Sequence, residues 1–221
     1  MRSGPAQTQL LELFTSEGCS SCPPAERWLS TLAESPRLWK DLVPMSFHVD
    51  YWDGLGWKDF LASSAYTARQ RSYAASWPGG NVYTPAFVLN GREWKRLGLE
   101  GIPTPAAPTG VLQATLGEQG DVTVTFVPSA KRGGPFTASA ALLGSGLKSE
   151  VKAGENSGRT LQHDFAVFAL KSGEMVSQGG GEFRAKLRLP PGRVAKSQSA
   201  FAVWITEGRS LESIQAAGGP L

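Results

Sequence analysis

The sequence predicts an α/β unit packed on an antiparallel β-sandwich, and three observations lead there. Six of the seven Trp precede residue 95 and all four Tyr lie between Tyr51 and Tyr83, whereas glycine runs the other way, with 9 before residue 106 and 17 after it. Before residue 95, short apolar runs alternate with helical periodicity; beyond 110, runs of period two are separated by Gly-rich turns. Between these regimes, residues 98–110 carry Pro103, Pro105 and Pro108. Such a stretch holds neither a helix nor a central strand, so it reads as a linker with a domain boundary near residue 105, dividing the chain into 1–105 and 106–221.

The elements follow in order. Residues 10–14, LLELF, are a short apolar run stopped by Thr-Ser-Glu-Gly, as in a buried strand. Pro23 and Pro24 open a helix, where a missing N–H does no harm, and Ala25, Trp28, Leu29, Leu32 and Ala33 give it one apolar face. Residues 42–49 form a second strand and 63–76 a second helix. Residues 86–89, the Asn90-Gly91 turn and 92–97 form a hairpin, since Asn-Gly is the strongest two-residue turn signal. The first half is thus β-α-β-α-β-β. The second half offers six strands, at 111–116, 122–127, 137–143, 164–170, 183–189 and 201–205, and no helix before Leu211.

Composition excludes several classes. With 22 Lys plus Arg against 19 Asp plus Glu, the net charge of +3 is too small and too scattered for a nucleic-acid binder. No apolar run is longer than FAVFAL at 165–170, far short of the ~20 residues that span a bilayer. The first residues, MRSGP, have no apolar core of signal-peptide type, which fits either a cytosolic protein or a mature form whose leader has been removed.

The 2 cysteines form one motif, Cys19-Ser-Ser-Cys22, between the end of a strand and the start of a helix. Free amides and the positive end of the helix dipole stabilise a thiolate at that place, lowering a thiol pKa of ~8.5. With Cys22 one turn inside, the pair supplies an attacking thiolate and a resolving thiol, as thiol–disulfide exchange needs. A non-catalytic pair and a metal site remain alternatives. A zinc site, however, would have to recruit both His48 and His163 from afar. Thr84-Pro85 precedes the strand that pairs with the first. In cis, that bond would present Thr84 to an extended peptide; in trans, Pro85 merely starts a strand.

The order of strand, Gly-Cys-x-x-Cys-Pro, helix, strand, helix and Thr-Pro-hairpin resembles the thioredoxin fold. More narrowly, ELFTSEGCSSCPPAERWL, FHVDYWDGLGWKDFLASSAYTARQRSYA, VYTPAFVLNG and GENSGRTLQHDF resemble an uncharacterised family of exported bacterial thioredoxin-like proteins, catalogued as a domain of unknown function. The resemblance spans nearly the whole chain. It implies a periplasmic or secreted protein with a thioredoxin-like domain followed by a β-rich one, and supplies no reaction or substrate. A thioredoxin fold closes with a helix after the hairpin. Here residues 97–109 stand in its place, leaving a sheet face for the second half to cover.

Glu12 interrupts an apolar strand, and in thioredoxins a buried acid on this strand takes the proton of the second cysteine. Glu12 lies one residue off that spacing and is a candidate general base for Cys22, or else a carboxylate that meets an Arg or water. His48 and Asp50 share one face of the second strand and suit a core hydrogen bond, a metal or a thiol. Trp52 lies in an aromatic stretch from Tyr51 to Phe60 that covers the active-site end, fills a packing gap or forms a shallow groove for a peptide. Arg69 and Arg71 read as solvated helix positions, and Asn156, Arg159 and His163 as a turn-fixing network without chemistry, with the domain interface as one place for it. The expected catalytic residues are therefore Cys19, Cys22 and Glu12, with Thr84, Pro85 and Trp52 binding substrate. No cofactor is implied. The functions that follow are a periplasmic thiol–disulfide oxidoreductase acting on protein or small thiols, a non-catalytic binding module, or a handler of Cu(I) or another soft metal on the cysteines with His48 in support.

Overall fold

Every residue of the first apolar run is buried, because its strand is packed on both faces. The computed structural model describes residues 1–95, 101–104, 107–130, 132–190 and 199–221. The boundary expected at residue 105 lies outside them, as does part of the 97–109 stretch. Strand β1 (Gln9–Thr15) sends Leu11 and Leu13 to one face and Leu10 and Phe14 to the other. Helix α1 (Cys22–Thr31) lays Ala25 and Leu29 on the first face, and helix α2 (Ser64–Ala74) lays Tyr66 and Tyr73 on the second. The Ser63 side chain caps α2 by accepting from the Ala65 N–H.

Strand β2 (Leu42–His48) lies parallel to β1, with β3 (Ala86–Leu89) antiparallel on the other side and β4 (Arg92–Trp94) beyond it. The β3–β4 turn has positive φ at both Asn90 and Gly91. A side chain on Gly91 would also collide with the backbone of Leu211 and Glu212, so both position and conformation demand glycine there.

The second half supplies β5 (Gly110–Leu116), β6 (Asp121–Pro128), β7 (Phe136–Gly144), β8 (Leu147–Glu150), β9 (Thr160–His163), β10 (Ala166–Glu174), β11 (Val176–Gly179), β12 (Glu182–Arg188), β13 (Ser199–Glu207) and β14 (Gln215–Pro220). All six expected strands are present, with four more. Where the sequence left room for a helix after Leu211, Gln215–Pro220 instead forms an edge strand on β13.

These strands do not make a separate sandwich. One mixed sheet of eight strands runs β14-β13-β7-β10-β2-β1-β3-β4 through both halves, joined where Ala166 of β10 pairs in parallel with Ser46 of β2. A second, antiparallel sheet, β11-β12-β6-β5, packs on one face of the first. Period-two alternation sorts the core. On β13, Ala200, Ala202 and Trp204 join the α2 side, whereas Phe201, Val203 and Ile205 face the small sheet. The result is a mostly sheet molecule whose large sheet is covered on one side by α2 and on the other by α1 and the small sheet.

Candidate functional site

The Cys19–Cys22 turn sits between the end of β1 and the start of α1, and the two sulfurs form a disulfide. Gly18 is needed just before it, since a Cβ there would come within 2.8 Å of the Trp52 Cβ. The Cys22 N–H donates to the Cys19 carbonyl at 3.2 Å. Pro23 and Pro24, next in the helix, have no N–H at all. Three of the first amides are therefore unavailable to a Cys19 sulfur, and the convergence of free donors expected from the sequence is much reduced. The polar group beside that sulfur is instead the Ser21 hydroxyl, 3.3 Å away.

The expected accessibility of Cys19 also requires correction: both cysteines are 0% exposed. The connection between β8 and β9 comes over the turn from the second half. Asn156 Nδ2 donates to the carbonyls of Glu17 and Cys19, both at 2.9 Å, and Glu155 accepts from the Ser20 N–H at 2.8 Å. Arg159 steadies this clasp by donating to Asn156 Oδ1 at 3.0 Å. Of the network read in the sequence as fixing a turn, Asn156 and Arg159 hold the turn that carries the cysteines, whereas His163 bonds to Glu17 and Glu26.

Of the expected substrate residues, the structure brings Thr84, Pro85 and Trp52 together. Trp52 Nε1 donates to Thr84 Oγ1 at 2.9 Å, the Ser21 hydroxyl lies 3.5 Å from the Thr84 carbonyl, and the Thr84-Pro85 bond is cis. A groove of about 470 Å³ opens beside them, walled by Ser21, Ala25, Tyr83, Pro85, Phe87 and Trp94 and mainly apolar. Other hollows, of 510 and 630 Å³, lie along Arg92, Glu93 and Glu212 and do not reach the cysteines.

Glu12 is not brought to the cysteines. It occupies the α2 face of β1, where Arg69 Nε and Nη2 donate to it at 2.6 and 3.0 Å and the Tyr73 hydroxyl at 2.6 Å. Arg69 is correspondingly not solvated: its guanidinium lies against the Phe47, Tyr73 and Trp204 rings, while Arg71 is exposed as expected. His48 and Asp50 also part company. Asp50 accepts from the Thr67 hydroxyl on α2, and His48 Nδ1 meets Asp59 at 2.7 Å.

Beneath the cysteine turn lies a polar cluster that the sequence reading missed. Glu26, four residues after Cys22 on α1, accepts from the Thr15 hydroxyl and from His163 Nδ1, each at 2.5 Å. His163 Nε2 reaches Glu17 at 3.1 Å, and the second Glu17 oxygen accepts from Trp57 Nε1 at 2.5 Å. Burial opposes charge on His163, but hydrogen bonds to Glu17 and Glu26 and their negative charge outweigh it and hold the imidazolium up to about 10. Burial likewise works against the Glu26 carboxylate, and the His163 bond and charge, with His48 and Thr15, more than offset it, so its pKa lies below the ordinary value. Asp59 is lowered too: burial is outweighed by His48 and by the amides of Glu17 and Leu61. One signal was legible, namely a Glu placed i+4 from Cys22 on the helix face that packs inward.

Comparison with solved structures finds the same fold elsewhere. The chain is similar to a crystal structure of an Agrobacterium tumefaciens protein solved as a structural-genomics target, with 26% identity, a TM-score of 0.69, and coverage of 98% of this chain and 95% of that one. It is also similar in fold to HBP35 of Porphyromonas gingivalis, with 15% identity, a TM-score of 0.69, and coverage of 99% and 76%. No curated protein matches the chain. The family model described as a protein of unknown function (DUF1223) matches residues 10–206.

Proposed function

The chain belongs to the DUF1223 family of proteins of unknown function, so its chemistry has to come from its own site, and we propose that it is a thiol–disulfide oxidoreductase built on a thioredoxin-like unit. The observation that carries this reading is a four-residue disulfide ring at the start of α1, flanked by an apolar groove. A structural role explains it less well, because closing so short a loop contributes only about 2 kcal/mol. In the reduced protein the Cys19 thiolate attacks a substrate disulfide, forming a mixed disulfide and releasing one substrate thiolate. Cys22 then loses its proton and attacks the Cys19 sulfur, expelling the second thiolate and passing two electrons to the substrate in all. The reverse sequence oxidises a dithiol. Ser21 is placed to donate to the Cys19 sulfur, and the groove suits the apolar side chains of a protein or peptide partner. A disulfide resting state fits an oxidising compartment such as the periplasm.

Burial of Cys19 makes exchange depend on displacing the Glu155–Asn156 clasp. In glutathione buffers the pair should equilibrate above about −300 mV, where redox-active rather than structural disulfides lie. Cys22→Ser should accumulate a mixed disulfide with a thiol-reactive peptide. Asn156→Ala, which removes two buried hydrogen bonds worth about 1 kcal/mol each, should speed reduction of Cys19–Cys22 by dithiothreitol roughly 5- to 30-fold. A potential below that range together with an Asn156→Ala rate equal to wild type would overturn the proposal.

A further inference from the structure

The cluster under the cysteine turn is short of positive charge. It buries three carboxylates, Glu17, Glu26 and Asp59, against two imidazoles, His48 and His163. Among the described residues, no Lys or Arg hydrogen-bonds to any of the three. His48 is 1% exposed, and its Nδ1 is held by Asp59, yet its Nε2 has no hydrogen-bond partner. If that nitrogen carries a proton, a buried donor goes unsatisfied. If it does not, a buried lone pair is left without a donor and the cluster keeps a larger negative charge. Both arrangements are costly in a site closed to water.

A cation removes both costs at once. One ring nitrogen of His48, one of His163 and one Glu26 oxygen lie within 4.8 Å of one another, and the two rings meet edge to face at 4.9 Å. We propose that His48, His163 and Glu26 bind a structural divalent transition-metal ion of the zinc class beneath the disulfide. Two imidazoles and a carboxylate are the borderline donors such ions select. Bonds of ~2.1 Å in a tetrahedral ion set its ligand atoms ~3.4 Å apart, so His163 Nδ1 and Glu26, now 2.5 Å apart, separate by about an ångström as the ion enters between them and His48 closes in. Their outer partners are already in place. Asp59 holds the far nitrogen of His48, Thr15 holds the other oxygen of Glu26, and Glu17 holds the second nitrogen of His163, each orienting a ligand as second partners do in metal sites. Binding exchanges the proton that His163 now directs at Glu26 for the ion. The cysteines take no part, so the site stands independently of the proposed redox chemistry.

The test uses the full chain with the Cys19–Cys22 disulfide intact, which removes thiolates as ligands. Chelator-stripped protein equilibrated with Zn²⁺ should take up one ion per chain and melt at a higher Tm. Co²⁺ should give visible d–d bands with no near-ultraviolet thiolate-to-metal absorption. His48→Asn keeps a donor for Asp59 but withdraws the inner nitrogen, and should weaken Zn²⁺ binding at least 100-fold. Should that variant fail to fold, the Co²⁺ spectrum of the wild type decides alone. Absence of stoichiometric uptake by the folded, oxidised wild type would overturn the proposal, as would His48→Asn binding Zn²⁺ as tightly as wild type.

Discussion

Of the two readings of Glu12, a general base for Cys22 or a carboxylate that meets an Arg, its bonds to Arg69 favour the second. Its burial was readable from an acid inside an apolar strand, and the alternation that places it opposite Leu11 and Leu13 was readable as well. That same alternation turns it away from α1, and the partner waiting on the α2 face, Arg69, lies 57 residues away with nothing in its neighbourhood to mark it as buried. Glu12→Gln therefore leaves an uncompensated guanidinium packed against three aromatic rings. Breaking one side of a buried pair costs about 3–5 kcal/mol, and urea denaturation should show a loss of that order. The pH profile of thiol–disulfide exchange should stay as in wild type; a displaced profile would restore Glu12 to the thiol chemistry. The proline pair was equally visible in the sequence. Pro23 and Pro24 mark the helix start correctly, but by lacking N–H groups they also thin out the donors that a helix N-terminus otherwise offers a thiolate.

Helix α1 and strand β9 are fastened together by the Glu17–His163–Glu26 triad, and that joint gives the elements a common pH dependence. In the metal-free protein His163 titrates near 10 when folded and near 6.5 when unfolded. A raised folded value means its stabilisation is fully present below about pH 6.5 and fades as pH climbs toward 10. Glu26 acts at the other end, since its lowered value makes its contribution complete above the ordinary carboxylate range and lost on acidification. The urea midpoint measured in chelator should accordingly fall from pH 7 to pH 10, and His163→Gln should flatten that decline. An equally steep decline in the variant would assign the effect to other groups. None of this could be assembled from sequence, because Glu17 and His163 stand 146 positions apart and each alone reads as an ordinary polar residue. Strand β14 escaped for a local reason: Gln215–Pro220, with two Gly and a Pro, has no β-branched or aromatic residue to announce it, and it persists by pairing with β13. The six expected strands were legible because each buries one or both faces.

At the scale of the whole molecule, the first half supplies nearly all of the core under α1 but shares the core on the other face of its strands with the second half. Val43, Met45 and Phe47 of β2 share one cluster with Ala141, Leu143, Val167 and Trp204 from the second half, and Phe165 fills the α1 side. Gln215 adds a polar knot, its side chain bonded to Thr8 N, Ala6 O and Gly110 O. The contrast in composition across the chain was real, but strands from its two sides hydrogen-bond into one sheet where Ala166 pairs with Ser46, 120 residues apart. Removing the second half would expose that face of β2, strip Trp204 from Arg69, and leave Glu17 and Glu26 without His163. Each large apolar side chain returned to water costs about 1.5–3 kcal/mol, and a domain holds only about 5–15 kcal/mol in reserve, so four or five such losses suffice. A 1–105 fragment should consequently show no cooperative urea transition and rapid proteolysis. The full chain should unfold in a single step, with Trp fluorescence and far-ultraviolet circular dichroism giving coincident curves. Recovery of a protease-resistant 1–105 fragment, or two separated transitions in the intact chain, would mean that the shared sheet is not what holds the first half together.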